Sequence, residues 1–95
     1  MAVSFSDRVR VVPNVLFRRV SDEGVLVNLN TEVYLGLNRV GARMWSVLND
    51  ASSVQAAYDA LVEEYDADPT ELRRDLEEFI DRLFAEQLIE RGPAA

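Results

Sequence analysis

Apolar residues recur with two different periods along this chain, and the change falls near Asn38. Upstream, three short runs are rich in β-branched and aromatic residues: Val15 to Val20, Val25 to Asn30 and Val33 to Leu37. Turn residues precede each of them, Pro13-Asn14, Ser21-Asp22-Glu23-Gly24 and Asn30-Thr31-Glu32. Short runs punctuated in this way predict an antiparallel meander. Val25, Val27, Leu29, Val33, Leu35 and Leu37 share one parity, so these six are expected to line one buried face, with Asn28 and Tyr34 on the other.

Downstream the period becomes helical. Asn38 is a good N-cap, and Gly41, Met44, Trp45 and Leu48 then fall on one stripe of a helix that ends at Asn49-Asp50. Ser52 with Gln55 reads as a capping box opening a second helix, whose stripe is Val54, Ala57, Tyr58, Leu61, Val62 and Tyr65. Asp68-Pro69-Thr70-Glu71 supplies an N-cap acid, a proline at the first helical position and a glutamate at the third. The helix it starts should bury Leu72, Leu76, Phe79, Ile80 and Leu83 and run to about Gln87, after which Leu88-Ile89 docks back.

The expected fold is therefore α+β: a three-stranded antiparallel β-meander followed by three helices, in a winged helix-turn-helix-like order. Residues 13–90 would form the domain, with an N-terminal arm at 1–12 and a flexible tail at 91–95. Trp45 and Phe79 are the largest expected core side chains, and truncating either should cost roughly 3–5 kcal/mol.

Composition narrows the chemistry. The 95 residues contain neither cysteine nor histidine, so disulfides, thiolate nucleophiles and Ser-His or Cys-His arrangements are excluded, and any metal site would be all-oxygen. The acid pairs Glu63-Glu64 and Glu77-Glu78, and the set Glu71, Asp75, Glu78, read as solvated helix faces. The acids of the loop Asp66 to Glu71 lack the glycine and the spacing of a calcium loop, and four scattered glycines make no phosphate cradle. The expectation is a non-catalytic chain with no metal and no organic cofactor. No apolar run is long enough to span a membrane, and Met1 to Arg10 has no signal-peptide core, which places the chain in the cytoplasm.

Charge is unevenly spread. Residues 1–49 carry six arginines against four acids, a net of +2, whereas residues 50–95 carry four arginines against thirteen acids, a net of −9. Such a C-terminal half disfavours nucleic acid and anionic membrane as partners. It also weakens the winged-helix regulator reading. The helix that would enter the major groove, Glu71 to Glu86, has six acids and three arginines.

The third strand carries the most functional promise. In a meander it is an edge, and Val33 to Leu37 has no lysine, no proline and no inward charge to blunt it. Gly36 lets another backbone come close, and Tyr34 offers a large amphipathic contact. Two arrangements remain open, the last helix roofing this edge or leaving it free, and sequence statistics favour the roof.

Leu37-Asn38, Gly41 and Trp45, within Val33 to Trp45, together with Asp75-Leu76, Phe79-Ile80, Leu83 and Leu88-Ile89, form an ordered set that resembles the PqqD-like family over roughly residues 13–90. The resemblance implies a RiPP recognition element, a module that binds the leader of a ribosomally made precursor peptide by strand addition and presents it to modifying enzymes. It implies peptide contacts at Glu32, Val33, Tyr34, Leu35, Gly36 and Leu37 on the strand. On the last helix, where two flanks are possible and the one containing Asp75 is chosen, it implies Arg74, Asp75, Glu78, Phe79 and Arg82. Asn38, Gly41 and Trp45 read as cap, close-packing glycine and core. The partners would be the leader, of about ten residues, and either a radical SAM enzyme in a pyrroloquinoline quinone pathway or a leader peptidase and a cyclase in a lasso peptide pathway. The acidic helix suits a leader with basic residues beside its apolar anchors. An acidic winged-helix-type transcriptional regulator and an orphan protein-interaction domain are the alternatives.

Overall fold

A computed structural model describes residues 4–92. Strands β1 (Arg8–Val11), β2 (Val15–Val20), β3 (Glu23–Asn28) and β4 (Val33–Leu37) precede helices α1 (Arg39–Asp50), α2 (Val54–Glu64) and α3 (Pro69–Ala85), and β5 (Ile89–Gly92) closes the chain. β2, β3 and β4 form the antiparallel meander, in that order. The architecture is the α+β one anticipated, with a second, two-stranded sheet in which β1 pairs β5.

That second sheet changes the standing of both termini. Val9 is buried, Phe5 packs against the core, and β5 runs through Gly92 opposite Arg8. The segment 4–12 is thus joined to the domain rather than trailing from it, and Arg91 and Gly92 belong to a strand rather than to a loose tail. Residues 93–95, the remainder of the expected tail, lie outside the described residues. Residues 4–7 also cap α2: the Val54 and Gln55 N–H groups donate to the carbonyls of Asp7 and Phe5, each at 2.8 Å. These are two of the donors that a helix start leaves without intrahelical partners.

The meander's inner face differs from the expected one. β3 begins two residues earlier than anticipated, after the tight turn Ser21-Asp22, with Ser21 at φ 60°. Its inward residues are Gly24, Leu26 and Asn28, paired with Leu37, Leu35 and Val33. Val25 and Val27 point the other way, and Leu29 lies beyond the strand, 56% exposed. The cause is loop length. Four residues, Leu29 to Glu32, connect Asn28 to its partner Val33, and an even loop gives paired residues opposite parity. Asn28 can lie inside because its side chain is satisfied. Its Oδ1 accepts from the N–H groups of Asn30 (2.9 Å) and Thr31 (3.2 Å), and its Nδ2 donates to the Gln87 carbonyl (2.8 Å).

The helices cover this inner face. From α1 come Ala42, Met44, Trp45, Val47 and Leu48, from α2 Val54, Ala57 and Leu61, and from α3 Leu72, Leu76, Ile80 and Leu83, all buried. Trp45 meets Phe17 of β2, ring centroids 6.2 Å apart. Phe79 is only half-buried, so it is a wall residue rather than the core anchor anticipated. The α2 cap is Ser53, whose side chain accepts from the Ala56 N–H, and not Ser52. Gln55 does not close a capping box: its side chain turns along the helix to Asp59.

Candidate peptide-binding edge

α3 is fixed at both ends. Asp68 caps its start, accepting from the Thr70 N–H. At its end Gln87 takes the left-handed conformation, φ 57°, while Leu88 N–H donates to the Leu83 carbonyl and Gln87 N–H to the Phe84 carbonyl. These two bonds form a Schellman motif, which turns the chain into β5. One flank of the helix is occupied by the chain itself: the Arg73 guanidinium stacks 4.0 Å from the Phe5 ring centroid, beside Tyr58. The opposite flank, carrying Phe79 and Arg82, faces β4.

Between them lies a cleft of about 210 Å³ lined by Leu35, Gly36, Leu37, Asn38, Gly41, Phe79 and Arg82. The outer rim of β4 is open. β4 ends the strand order, and apart from its ladder with β3 none of the backbone groups of Val33–Leu37 has a main-chain partner among the described residues. The helix therefore stands beside the edge without roofing it. In this strand Val33, Leu35 and Leu37 point inward, whereas Tyr34, 71% exposed, and Gly36 point outward. A Cβ built on Gly36 meets nothing within 4 Å. No contact within the chain requires glycine there, and the open space is outside the sheet.

The remaining residues named from sequence fall differently. Glu32 is not a strand residue: it sits in the loop before β4 at φ 61°, its N–H donating to the Asn28 carbonyl at 2.7 Å. Asp75 and Glu78 are exposed on the same flank as Phe79 and Arg82, and neither has an ion-pair partner among the described residues. Arg82 leans toward Glu86, 3.3 Å away. Arg74 is exposed and about 140° round the helix from Phe79, by the helical step of about 100° per residue, so it does not join this cleft. Asn38 and Gly41 line the cleft although sequence reasoning made them structural only. Both roles coexist, since the Asn38 Oδ1 accepts from the Gly41 N–H at 2.8 Å. Their place directly after the edge strand was the available signal.

No group of three or more metal-ligating side chains occurs among the described residues. No described helix is long and apolar enough to cross a membrane.

The model of the family described as Coenzyme PQQ synthesis protein D (PqqD) matches residues 23–89. Among solved structures, the chain is similar to TbiB1 in complex with the TbiA(beta) leader peptide, at 34% identity and TM-score 0.79, over 85% of this chain and 94% of that one. It is also similar to a lasso peptide synthetase B1 complexed with the leader peptide, at 22% identity and TM-score 0.77, over 87% of this chain and 98% of that one. The second likeness speaks to the fold alone. No curated protein matches the chain.

Proposed function

The chain belongs to the PqqD family, and from that premise we propose that it binds the leader segment of a ribosomally synthesised precursor peptide and presents it to modifying enzymes. The leader adds as a strand along the open rim of β4. Main-chain hydrogen bonds hold it, and its alternate side chains enter the cleft between Leu35, Leu37 and Phe79. The observation that carries this reading is an unroofed five-residue edge beside an apolar cleft on one rigidly held helix flank. Val33, Tyr34, Leu35, Gly36 and Leu37 supply the strand, and Phe79 and Arg82 the opposite wall. Asp75 and Glu78 extend that wall with negative charge suited to basic leader residues, chiefly by steering encounter. Arg74 and Glu32 are left at its margin.

The chain acts without catalysis, in the cytoplasm. By holding the leader it makes modification of the attached core peptide effectively intramolecular. The enzymes served are a leader peptidase and a cyclase of the lasso type or a radical SAM enzyme of the pyrroloquinoline quinone type, and the relative at 34% identity is itself held with a leader peptide.

Calorimetric titration with the synthetic leader of the neighbouring precursor gene tests the binding. Neighbouring strand residues direct their N–H groups to opposite sides, so of Leu35 and Gly36 one donates to β3 and the other faces the open rim. Leu35→Pro and Gly36→Pro should therefore split, one destabilising the sheet and the other folding normally yet losing the leader. Phe79→Ala should fold and weaken the leader about tenfold or more, the loss of one apolar anchor. Normal leader binding by whichever of the two proline variants folds would overturn strand addition.

A further inference from the structure

Phe5 meets α3 on the side away from the cleft, and it lies outside the stretch 23–89 that the family model matches. The Arg73 guanidinium is 4.0 Å from its ring centroid, and the Tyr58 ring meets it edge-on at 5.9 Å. Tyr58 in turn donates its hydroxyl to the Pro69 carbonyl in the first turn of α3, at 3.0 Å. Main-chain bonds fix Phe5 itself, its carbonyl accepting from the Gln55 N–H at the start of α2. Two residues on, the Asp7 carbonyl accepts from the Val54 N–H, and the Asp7 carboxylate lies 3.6 Å from Arg91 of β5. Within three residues this strap grips α2, α3 and the strand that follows α3.

Six residues separate Arg73 from Phe79, which at about 100° per residue sets them about 120° apart round the helix. The buried stripe of Leu72, Leu76, Ile80 and Leu83 lies between them. A helix seated on such a stripe can roll about its own axis, and a roll carries its two flanks in opposite senses relative to the sheet. No main-chain hydrogen bond among the described residues joins α3 to the meander to oppose this. The Phe79 flank faces an open cleft, whereas the Arg73 flank is braced by a planar cation on a ring face. Such a stack is directional as well as attractive.

We propose that Phe5 is a positioning residue: stacked on Arg73, it holds the roll of α3, and so the gap between Phe79 and β4 that sets leader affinity. The role rests on the strand-addition reading. Phe5 itself touches no leader, and it acts through the helix from behind.

The test uses the full chain and the synthetic leader. Phe5→Leu keeps apolar volume and removes the ring face, whereas Phe5→Tyr keeps the stack. Arg73→Ala removes the cation from an exposed position, where the pair with Glu77 contributes little. Phe5→Leu and Arg73→Ala should each weaken the leader about threefold to thirtyfold in calorimetry. The double variant should be no weaker than the poorer single one, and Phe5→Tyr should bind within about twofold of the unsubstituted chain. Val47→Ala, in the groove between α1 and α2, lowers stability without touching α3 and should also bind within about twofold. Circular dichroism at the titration temperature establishes that each variant is folded.

Unchanged leader affinity in both folded single variants overturns the proposal, and so do fully additive losses in the double variant. An equal loss in Val47→Ala overturns it too, by making the effect one of stability alone. Should the unsubstituted chain bind no leader, the proposed function falls instead. NMR signals of the Phe79 ring and the Gly36 amide in leader-free Phe5→Leu then decide the roll, and unmoved signals overturn it.

Discussion

The side-chain amide of Asn28 donates to the main-chain carbonyl of Gln87 at 2.8 Å, joining the meander to the exit turn of α3. Asn28 is fully buried, and its Oδ1 also closes the loop into β4. One polar side chain thereby fixes both walls of the cleft, the edge strand through its loop and the helix through its end. Asn28→Ala removes three hydrogen bonds and leaves the Gln87 carbonyl without its partner. A loss of roughly 2–3 kcal/mol is expected, read from the urea midpoint, together with weaker leader binding as the walls loosen.

Gln87 pays for its left-handed backbone with a Cβ in a crowded conformation. Gln87→Gly keeps the carbonyl that Asn28 uses and removes that strain, so it should stabilise by up to about 1 kcal/mol. Gln87→Val should do the reverse. Thermal melting of the pair checks the sign, and a destabilised glycine variant would contradict it.

Gly24 and Gly36 occupy adjacent strands and should respond oppositely to alanine. A Cβ at Gly24 would fall 2.4 Å from Phe17 Cε1 and 2.7 Å from Cζ, pushing that ring against Trp45. Gly24→Ala should cost roughly 1–3 kcal/mol. Gly36→Ala enters open space and should be near neutral in denaturant unfolding.

Arg43 and Glu64 tie α1 to α2, with Arg43 Nε donating to both carboxylate oxygens at 2.9 and 2.8 Å. The hydrogen bonds from Arg43, and then its charge, hold the Glu64 carboxyl below its ordinary range. Its folded pKa is depressed, so its contribution is present at neutral pH and is lost as acidification protonates it. Both side chains are well exposed, which keeps the contribution small. Glu64→Gln should flatten the acid side of the stability curve and leave stability nearly unchanged once the carboxyl is protonated. An identical pH dependence in the variant would show the pair to be idle.

Local chemistry was enough to place most elements. β2 and β4 fall where turn residues and β-branched runs put them. Asn38 and Asp68 cap helices as their side chains dictate, because a cap depends on atoms within three residues of it. The edge character of β4 followed too, since a meander's last strand has one free side. Three features required the folded chain. The inner face of β3 turned on whether the loop to β4 held an odd or even number of residues, which side-chain polarity does not reveal. Asn28 became an interior residue only through Gln87, far along the chain. Whether α3 roofs the rim of β4 or stands beside it was settled by packing at a distance, with Phe5 and Tyr58 taking one flank of the helix and leaving Phe79 and Arg82 to the other.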